Sequence, residues 1–353
     1  MQTRPEILDL RQRLLTWYDR EGRSLPWRVR PEDREAGVVA DPYAIWLSEI
    51  MLQQTTVPHA TPYWHRFLAL WPGVENLAAA PREDVMREWA GLGYYARARN
   101  LHACAQAVTT EHAGQFPDTL KGLLALPGIG EYTANAILAA AFNVPASVVD
   151  GNVERVITRF YRVQVPLPKS KPEIKRLAAE IACPERSCDY AQAIMDLGAT
   201  ICTPKSPDCD ACPWSQGCQA RAEGDVLRYP LKDRKKPKPV RRGIAWLVRH
   251  DGKVWLRTRA DQGLLGGMRE VPSTPWADAE PEWQPPFDSD WTARGEVKHV
   301  FTHFELKLSV QEAAPPAGWT PASGDWVDET ALDREALPSV MRKVLATRLG
   351  VSR

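Results

Sequence analysis

Residues 118–132 read D-T-L-K-G-L-L-A-L-P-G-I-G-E-Y, and they predict two helices joined by a short glycine-rich turn. Asp118–Ala125 has a helical pattern, Leu126-Pro127-Gly128-Ile129-Gly130 interrupts it, and a second helix begins at Glu131. Gly128 and Gly130 carry no side chains, so the backbone of the turn can approach another molecule closely. The N-terminus of the second helix can then hold a phosphate. The same pattern also suits a plain connection between helices, and the stretch alone leaves both readings open.

Further helical patterns lie on both sides of this turn. Asp41-Pro42 predicts a helix start, with Asp as N-cap and Pro at the first helical position. The following run, Tyr43–Gln54, is apolar on almost every side, so we expect that helix to be buried. The remaining helical patterns cover Pro62–Leu70, Glu83–Trp89, Arg97–Glu111, Thr119–Ala125, Tyr132–Phe142 and Asn152–Tyr161. Residues 1–225 are therefore predicted to form a mostly helical domain, with Val29–Ala40 as an exposed insertion.

Two carboxylates stand out in this helical region. Glu49 lies inside the apolar helix, where burial raises the pKa of a carboxyl group and favours a proton donor near neutral pH. A core Glu paired with an Arg is the other reading. Asp150 precedes Gly151-Asn152-Val153, where Asp is a favoured N-cap. An ionised Asp at this place can also stabilise a developing positive charge, and the two roles are compatible.

Four of the seven cysteines fall within seventeen residues, with the spacing C-x6-C-x2-C-x5-C. Thiolate-only ligation suits an iron–sulfur cluster or a structural zinc ion, and the spacing favours the cluster because only one Cys-x2-Cys knuckle is present. A structural role is expected, with electron transfer as the alternative. Cys104, Cys183 and Cys188 lie outside the pattern and are read as ordinary thiols. The four predicted ligands are Cys202, Cys209, Cys212 and Cys218.

Length and composition limit the number of domains and the possible class of protein. The chain has 353 residues, with 44% hydrophobic and 25% charged residues, which predicts two globular domains. The chain has 45 Lys and Arg residues and 44 Asp and Glu residues, which gives a net charge of +1. Any nucleic-acid binding must therefore come from a local basic face. The polar start predicts no signal peptide, no apolar stretch is long enough to span a membrane, and the cysteine usage indicates a reducing cytoplasm.

A second domain follows a change of composition. Residues 226–242 form a basic, proline-bearing linker, read either as a solvated tether or as one that also touches phosphates. The period then switches to two: Ile244–Arg249 and Lys253–Arg259 predict a hairpin, and residues 304–310 predict a half-buried strand. Asp333–Leu349 predicts a closing amphipathic helix. Residues 243–353 are therefore expected to be an α+β domain.

Taken together, the motifs resemble the helix-hairpin-helix DNA glycosylase superfamily that carries an iron–sulfur cluster. The resemblance rests on L-P-G-I-G, on V-V-D-G-N-V at residues 148–153, and on the 6-2-5 cysteine loop. Within that superfamily, Trp46–Thr55 (W-L-S-E-I-M-L-Q-Q-T) and Gly91–Leu101 (G-L-G-Y-Y-A-R-A-R-N-L) are similar to the adenine DNA glycosylases of the MutY type. The similarity runs from about Leu25 to Cys218 and continues more weakly into the second domain.

The resemblance implies a function and a set of roles. Members of the family flip adenine mispaired with 8-oxoguanine, or with guanine, out of duplex DNA and excise it. By this resemblance Glu49 would protonate adenine at N7, and Asp150 would stabilise the oxocarbenium-like sugar. Asn152 would position Asp150 or the substrate. The resemblance also implies a [4Fe-4S] cluster bound by the four cysteines, and wedging of the base stack by Gln54 and Tyr94. It implies DNA binding by Leu126, Gly128 and Gly130. The adenine pocket would be lined by Trp27, Arg28 and Gln192.

Tyr132 distinguishes two branches of the superfamily. In the related endonuclease III type, the residue two after the G-x-G turn is a Lys that attacks the sugar and forms a Schiff base. Tyr132 offers no amine, so the resemblance implies a monofunctional glycosylase. Trp27 and Tyr94 retain a simpler reading as core aromatics.

The second domain resembles the MutT-like (Nudix-fold) domain of the same family, through Gly263–Met268 and Phe301–Phe304. It lacks the run of Glu residues that a pyrophosphohydrolase uses to bind metal, so we expect recognition of the lesion and no nucleotide hydrolysis. Phe301, Thr302 and His303 would read 8-oxoguanine. Family members have Ser where this chain has Thr302, which keeps the hydroxyl group and adds a methyl group.

Three other readings compete with this one. They are an endonuclease III-like glycosylase/lyase, a noncatalytic DNA-lesion sensor, and a zinc-stapled DNA-binding protein. Tyr132 and the second domain argue against the first, the buried Glu49 argues against the second, and absorbance near ~400 nm separates the third from an iron–sulfur protein. The preferred reading predicts a monomer that acts on mispaired duplex DNA in the bacterial cytoplasm, associated with the nucleoid.

Overall fold

The structure, a computed structural model, describes residues 4–233 and 237–347. It divides into two compact units. The first comprises Met1–Ala79 and Asn100–Arg234, and the second comprises Ala80–Arg99 and Lys235–Arg353. The segment 80–99 thus groups with the second unit, although it lies inside the predicted helical domain in sequence.

The region up to residue 233 is helical, as predicted. Its α-helices are α1 (Arg4–Glu21), α2 (Pro31–Glu35), α3 (Pro42–Leu52), α4 (Val57–Leu70), α5 (Val74–Ala79), α6 (Arg82–Glu88), α7 (Ala96–Glu111), α8 (Leu120–Ala125), α9 (Glu131–Phe142), α10 (Gly151–Phe160), α11 (Lys171–Ile181), α12 (Ser187–Asp196) and α13 (Gln219–Ala222). A π-helical turn, Leu197–Ile201, continues α12, and a 3-10 turn covers Val226–Arg228.

The helix starts follow local capping chemistry. The Asp41 carboxylate accepts a hydrogen bond from the Tyr43 backbone N–H, and Pro42 occupies the first turn of α3, as the sequence predicts. Thr119 caps α8 by accepting from the Gly122 N–H. Helix α4 begins at Val57, five residues before the predicted start, because Pro62 is accommodated inside it.

The core of the first unit combines the predicted helix α10 with three helices for which the sequence showed no helical pattern. Helices α1, α11 and α12 pack with α10, and their fully buried residues include Leu14, Tyr18, Ile157 and Leu197. Burying an aliphatic or aromatic side chain of this size stabilises a fold by roughly 1.5–3 kcal/mol. This packing fixes α12, whose inner face reaches the functional site described below.

The predicted linker differs from the structure at both ends. The Leu167 N–H donates to the Leu231 carbonyl, and Tyr229 is buried, so residues 226–233 pack on the first unit. At the other end, the first strand begins at Val240. The structure therefore shortens the tether, and residues 234–236 of the basic run lie outside the described residues.

The second unit contains a six-stranded sheet. Its strands are β1 (Val240–His250), β2 (Lys253–Thr258), β3 (Arg269–Glu270), β4 (Thr292–Val300), β5 (Glu305–Ala313) and β6 (Asp325–Asp328). The order is β3-β2-β1-β5-β4, with β6 paired to β2; β1 and β5 are parallel, and the other pairs are antiparallel. Asp251 and Gly252 both have positive φ, as a tight hairpin turn requires.

Two apolar clusters complete the second unit. One packs the sheet against α14 (Ser339–Ala346) through Leu306, Leu308 and Val310, which confirms the alternating strand pattern. The other is rich in tryptophan and includes Trp255 and Phe287. The predicted start of the closing helix, Asp333, was wrong. A 3-10 turn covers Glu329–Arg334, and α14 begins only after Pro338, because the residue before a proline avoids helical geometry.

Two smaller expectations concern the surface. The Val29–Ala40 insertion exposes Val39 but is anchored through Arg34, which pairs with Asp189 of α12.

Among the described residues, no helix is both long and apolar enough to cross a membrane.

Candidate active site and iron–sulfur loop

The first unit contains a cavity of about 400 Å³. Its walls come from α3, α9, α12, the start of α10 and the loop after α1, which are far apart in sequence. The cavity brings together Glu49, Tyr132, Asp150, Asn152, Trp27, Arg28 and Gln192 of the predicted residues.

Glu49 is the acidic group of the α3 wall. Burial raises the pKa of its carboxyl group to about 7, while the Tyr132 hydroxyl and Arg28 pull it down and Asp150 pushes it up. The reading of a core Glu paired with an Arg does not fit, because Arg28 makes its ion pair with Asp196 at 2.8 Å. At neutral pH this carboxyl group is therefore about half protonated and can donate a proton.

The Tyr132 hydroxyl donates to Glu49 Oε2 at 3.1 Å. Burial, followed by the charge of Glu49, raises the pKa of Tyr132 well above its usual range, so the hydroxyl stays protonated. Tyr132 is therefore a hydrogen-bond donor to the acid and supplies no nucleophile to the cavity.

Replacing Tyr132 by Phe tests this contact. Loss of the hydrogen bond removes an interaction that lowers the pKa of Glu49, so the carboxyl group should stay protonated to higher pH. In the parent protein we expect the falling alkaline limb of the pH–rate profile near pH 7, and in the variant we expect this limb to move to higher pH. The single-turnover rate at its optimum should change by less than about tenfold, as one hydrogen bond allows. A limb that stays in place or moves to lower pH contradicts the assignment.

Asp150 is held as the N-cap of α10. Its carboxylate accepts from the Val153 backbone N–H at 2.7 Å and from the Asn152 amide at 2.8 Å. Burial raises the pKa of Asp150, and these hydrogen bonds together with Arg155 oppose the rise. The capping and charge-stabilising readings are thus compatible in one geometry, since the fixed carboxylate lines the cavity.

Asn152 connects this carboxylate to the cysteine loop. Its Oδ1 accepts from Arg155 Nη2 at 2.8 Å, and the Arg155 Nε–H donates to the Cys202 carbonyl at 2.7 Å. Gly198 leaves room for the contact, because a Cβ there would lie 2.6 Å from Asn152 Cβ. One side chain therefore positions Asp150 and ties it to the segment that starts the loop.

Arg28 is fixed by a buried acid. Asp196 is fully buried and accepts two hydrogen bonds from Arg28 at 2.8 Å and further bonds from Arg23. Hydrogen bonds and charge from Asp196 raise the pKa of Arg28 despite its burial. The cavity thus holds a permanent cation in a defined orientation.

The helix-hairpin-helix turn has the predicted shape, with one difference. Gly128 has φ +75°, and a Cβ there would lie 2.6 Å from Asn100 Cβ, so glycine is required. A Cβ at Gly130 would meet open space, which leaves the start of α9 accessible. Leu126 is 4% exposed, so its side chain packs inside the unit, and the DNA binding predicted at this position would involve its backbone.

Gln54 and Tyr94 both have left-handed backbone conformations, with φ +57° and +50°. Such strain at a non-glycine residue persists only where the surroundings impose it, and it concentrates at functional sites. Within the second unit Tyr94 is 51% exposed, and the Arg97 guanidinium lies 5.7 Å from its ring centre. The reading of Tyr94 as a core aromatic is therefore wrong.

The four predicted cysteine ligands line a single small cavity. Burial raises the pKa of the Cys212 thiol to about 12, so this sulfur becomes a thiolate only when a metal centre binds it. Among the described residues, no group of three or more His, Cys, Asp and Glu side chains is arranged to hold a single metal ion. The shared cavity and the sulfur-only donor set suit a cluster.

Arg159 supports this loop from α10. It is 2% exposed and donates to the backbone carbonyls of Thr203 at 2.7 Å and Tyr229 at 3.2 Å. Its Nη1 also lies 3.3 Å from Cys202 Sγ, as a donor to a cluster sulfur ligand would. The loop is thus fastened to the core of the first unit.

In the second unit, the Phe301 ring is tilted against the Trp276 ring, with the ring centres 5.9 Å apart. The Phe301 N–H donates to the Phe304 carbonyl in a tight turn that exposes Thr302 and His303. Glu270 is 2% exposed and is paired with Arg257 and Arg259. Both oxygens of the Glu270 carboxylate are therefore occupied by arginine contacts.

Comparison with known families follows the same division of the chain. Residues 47–183 match the HhH-GPD superfamily of base excision DNA repair proteins, and residues 202–218 match the iron-sulfur binding domain of endonuclease III. Residues 243–347 match the NUDIX domain. The fold and site therefore define the class of iron–sulfur helix-hairpin-helix DNA glycosylases, and the cysteine loop binds a [4Fe-4S] cluster.

Individual relatives narrow the class. The human adenine DNA glycosylase is 33% identical over 98% of this chain and 75% of that protein. The adenine DNA glycosylase of Mycolicibacterium smegmatis is 41% identical over 63% of this chain and 75% of that protein. The chain belongs to the adenine DNA glycosylase family, and it is a base-excision repair enzyme.

Solved structures agree on the fold. A thermostable thymine-DNA glycosylase is 28% identical, with a TM-score of 0.55 over 62% of this chain and 98% of that chain. Endonuclease III in a non-covalent complex with DNA is 22% identical, with a TM-score of 0.52 over 64% of this chain and 99% of that chain.

Several site residues escaped the sequence analysis. Two of them, Arg23 and Met195, line the cavity, and two others, Tyr18 and Asp196, hold residues that line it. All four lie on or beside helices α1 and α12. These helices carry no glycine-rich or cysteine motif that would identify a site. An Asp at the end of an apolar helix was the one available signal, since buried acids need a paired cation.

Proposed function

We propose that this enzyme is a monofunctional glycosylase that excises adenine mispaired with 8-oxoguanine, or with guanine, in duplex DNA. The observation that carries the proposal is the pairing, in one cavity, of a carboxyl group with a pKa of about 7 and a capped, hydrogen-bonded carboxylate. This is the arrangement that acid-assisted cleavage of a glycosidic bond needs.

The proposed reaction uses both carboxyl groups. Glu49 donates its proton to N7 of the flipped adenine, which makes the base a neutral leaving group when the C1′–N9 bond breaks. The Asp150 carboxylate stabilises the positive charge that develops on the sugar, with Asn152 holding its orientation. Water then adds to C1′ and gives its proton to the Glu49 carboxylate, which restores the acid, so that adenine and an abasic site are the products.

Cleavage of the DNA strand is not part of this proposal. The Schiff-base route needs an amine beside the sugar, whereas Tyr132 occupies the relevant position and hydrogen-bonds to Glu49. The residues lining the described cavity include no lysine. The exposed Thr302 and His303, beside Phe301, are proposed to read 8-oxoguanine in the opposite strand.

A single-turnover assay tests the proposal. We expect the adenine strand of a duplex with adenine opposite 8-oxoguanine to break only after alkali treatment, because the enzyme leaves an intact abasic site. Borohydride should trap no covalent protein–DNA adduct. Breakage without alkali, or a strong trapped adduct, would favour the lyase alternative, and tight binding with no excision would favour a lesion sensor.

The same proposal covers the protein's setting. It predicts a monomer that works in the bacterial cytoplasm in association with the nucleoid. Sedimentation of the purified protein with and without mispaired duplex tests the monomeric state.

A further inference from the structure

The side-chain amide of Gln192 is held at both ends. The Tyr18 hydroxyl donates to Gln192 Oε1 at 2.5 Å, and Gln192 Nε2 lies 3.2 Å from Cys188 Sγ. Tyr18 is fully buried and Gln192 is 4% exposed, so water does not compete for these contacts. The two contacts together define which end of the amide is the oxygen.

The protons on the two partners oppose a flip of the amide. Burial raises the pKa of Tyr18 to about 12, so its hydroxyl keeps a proton to donate. The Cys188 thiol donates to the Ala140 carbonyl at 3.6 Å, so its proton points away from Gln192, and the sulfur accepts from Arg34 Nη1 at 3.1 Å. A flipped amide would place its oxygen against that sulfur, and Nε2 would then donate to the Tyr18 oxygen, so the Tyr18 hydroxyl proton would lose its acceptor Oε1.

The fixed orientation bears on which base the cavity accepts. Gln192 lines the cavity, and its amide retains one acceptor site and one donor after the two contacts are made. Along its pairing edge adenine presents a donor, N6–H, beside an acceptor, N1. A 6-oxo purine such as hypoxanthine or guanine presents the reverse, an acceptor beside a donor. One orientation of the amide matches adenine, and the flipped orientation matches the 6-oxo purines.

We propose that Tyr18 is a specificity-determining positioning residue, which locks the Gln192 amide in the orientation that accepts a 6-amino purine and rejects a 6-oxo purine. This inference rests on the proposed function, because it concerns the base that enters the same cavity. Tyr18 acts through Gln192 and does not itself line the cavity.

The decisive variant is Tyr18→Phe, which keeps the buried ring and removes only the hydroxyl. Single-turnover excision is measured for adenine and for hypoxanthine, each opposite 8-oxoguanine in the same duplex. We expect the adenine-to-hypoxanthine rate ratio to fall about tenfold, since a good bidentate contact discriminates between bases by that order. An unchanged ratio overturns the inference, as does an equal fall in both rates.

Three further variants separate a specific effect from a structural one. Tyr190→Phe is the matched control, because it makes the same change on α12, and the Tyr190 hydroxyl makes no hydrogen bond to any described residue. Cys188→Ala loosens the other end of the amide and should lower the ratio in the same direction. In a Gln192→Leu background, which has no amide to orient, Tyr18→Phe should leave the ratio unaltered, and a further fall there contradicts the inference.

The outcome also separates this inference from the proposed function. If the parent enzyme excises adenine and Tyr18→Phe keeps the parent ratio, only the role of Tyr18 fails. If the parent enzyme does not excise adenine opposite 8-oxoguanine, the proposed function fails and the inference fails with it.

Discussion

Glu49→Gln should reduce the single-turnover rate of adenine excision by at least ~10³-fold, near the upper range for loss of a general acid. Gln has nearly the same shape as Glu and keeps an acceptor for the Tyr132 hydroxyl, but it carries no transferable proton. Without a proton at N7, adenine must leave as an anion, which is a far poorer leaving group.

Binding should survive the same change. The Glu49 carboxyl group has a raised pKa and is about half protonated near neutral pH, so a neutral amide alters the average charge of the cavity little. Gel-shift titration with a mispaired duplex is therefore expected to give an affinity close to that of the parent enzyme. This pairing of lost excision with retained binding separates an acid from a residue that merely holds the fold.

A matched control strengthens this test. Glu180→Gln makes the same chemical change on α11, where Glu180 pairs with Arg176 on the surface. Surface ion pairs of this kind are worth about 0–1 kcal/mol, so excision and thermal stability should be nearly unchanged. Excision that persists in Glu49→Gln within about tenfold of the parent rate would exclude Glu49 as the general acid.

The second large effect is expected at the cysteine loop. Cys212→Ser replaces a predicted cluster ligand whose side chain also packs against the core of the first unit. A hard hydroxyl is a poor ligand for iron, so the variant should lose the absorbance near ~400 nm and its bound iron. Loss of a structural metal centre belongs to the few mechanisms that destabilise a protein by roughly 4 kcal/mol or more.

The destabilisation should spread to the active site. Arg159 donates hydrogen bonds to backbone carbonyls of the loop and so holds it on the first unit. Arg155 donates both to the Cys202 carbonyl and to Asn152, which in turn holds Asp150. We therefore expect a lower melting temperature, poor recovery of soluble protein, and loss of excision in whatever folds. Iron content, the visible spectrum and thermal unfolding measure these effects.

Cys183→Ser is the control for this variant. Cys183 is buried near the same core but lies outside the cavity of the four ligands. It should keep the full iron content and the visible absorbance, with only the modest loss of stability that a small buried substitution produces. Equal loss of iron from both variants would show that general unfolding, and not ligand removal, releases the cluster.

The sequence by itself determined the features that depend on local chemistry. The turn at Gly128 follows from a backbone conformation that glycine adopts without strain, and the start of α3 follows from the Asp41 cap. The iron–sulfur loop at residues 202–218 follows from the spacing of its four cysteines. The raised pKa of Glu49 was predictable because almost every neighbour in its helix is apolar, and burial alone disfavours the charged carboxylate.

Only the tertiary structure decided the features that depend on distant segments. Tyr18 and Gln192 are 174 residues apart, and Arg28 and Asp196 are 168 apart. No periodicity or spacing encodes such pairs, since each arises when α1, α12 and their loops pack on a shared core. Likewise, the burial of Leu126 and the packing of residues 226–233 on the first unit follow from contacts across the fold. Local sequence thus supplied the reacting groups, and long-range packing fixed their orientation, because hydrogen bonds in a buried cavity require partners that the chain brings together only on folding.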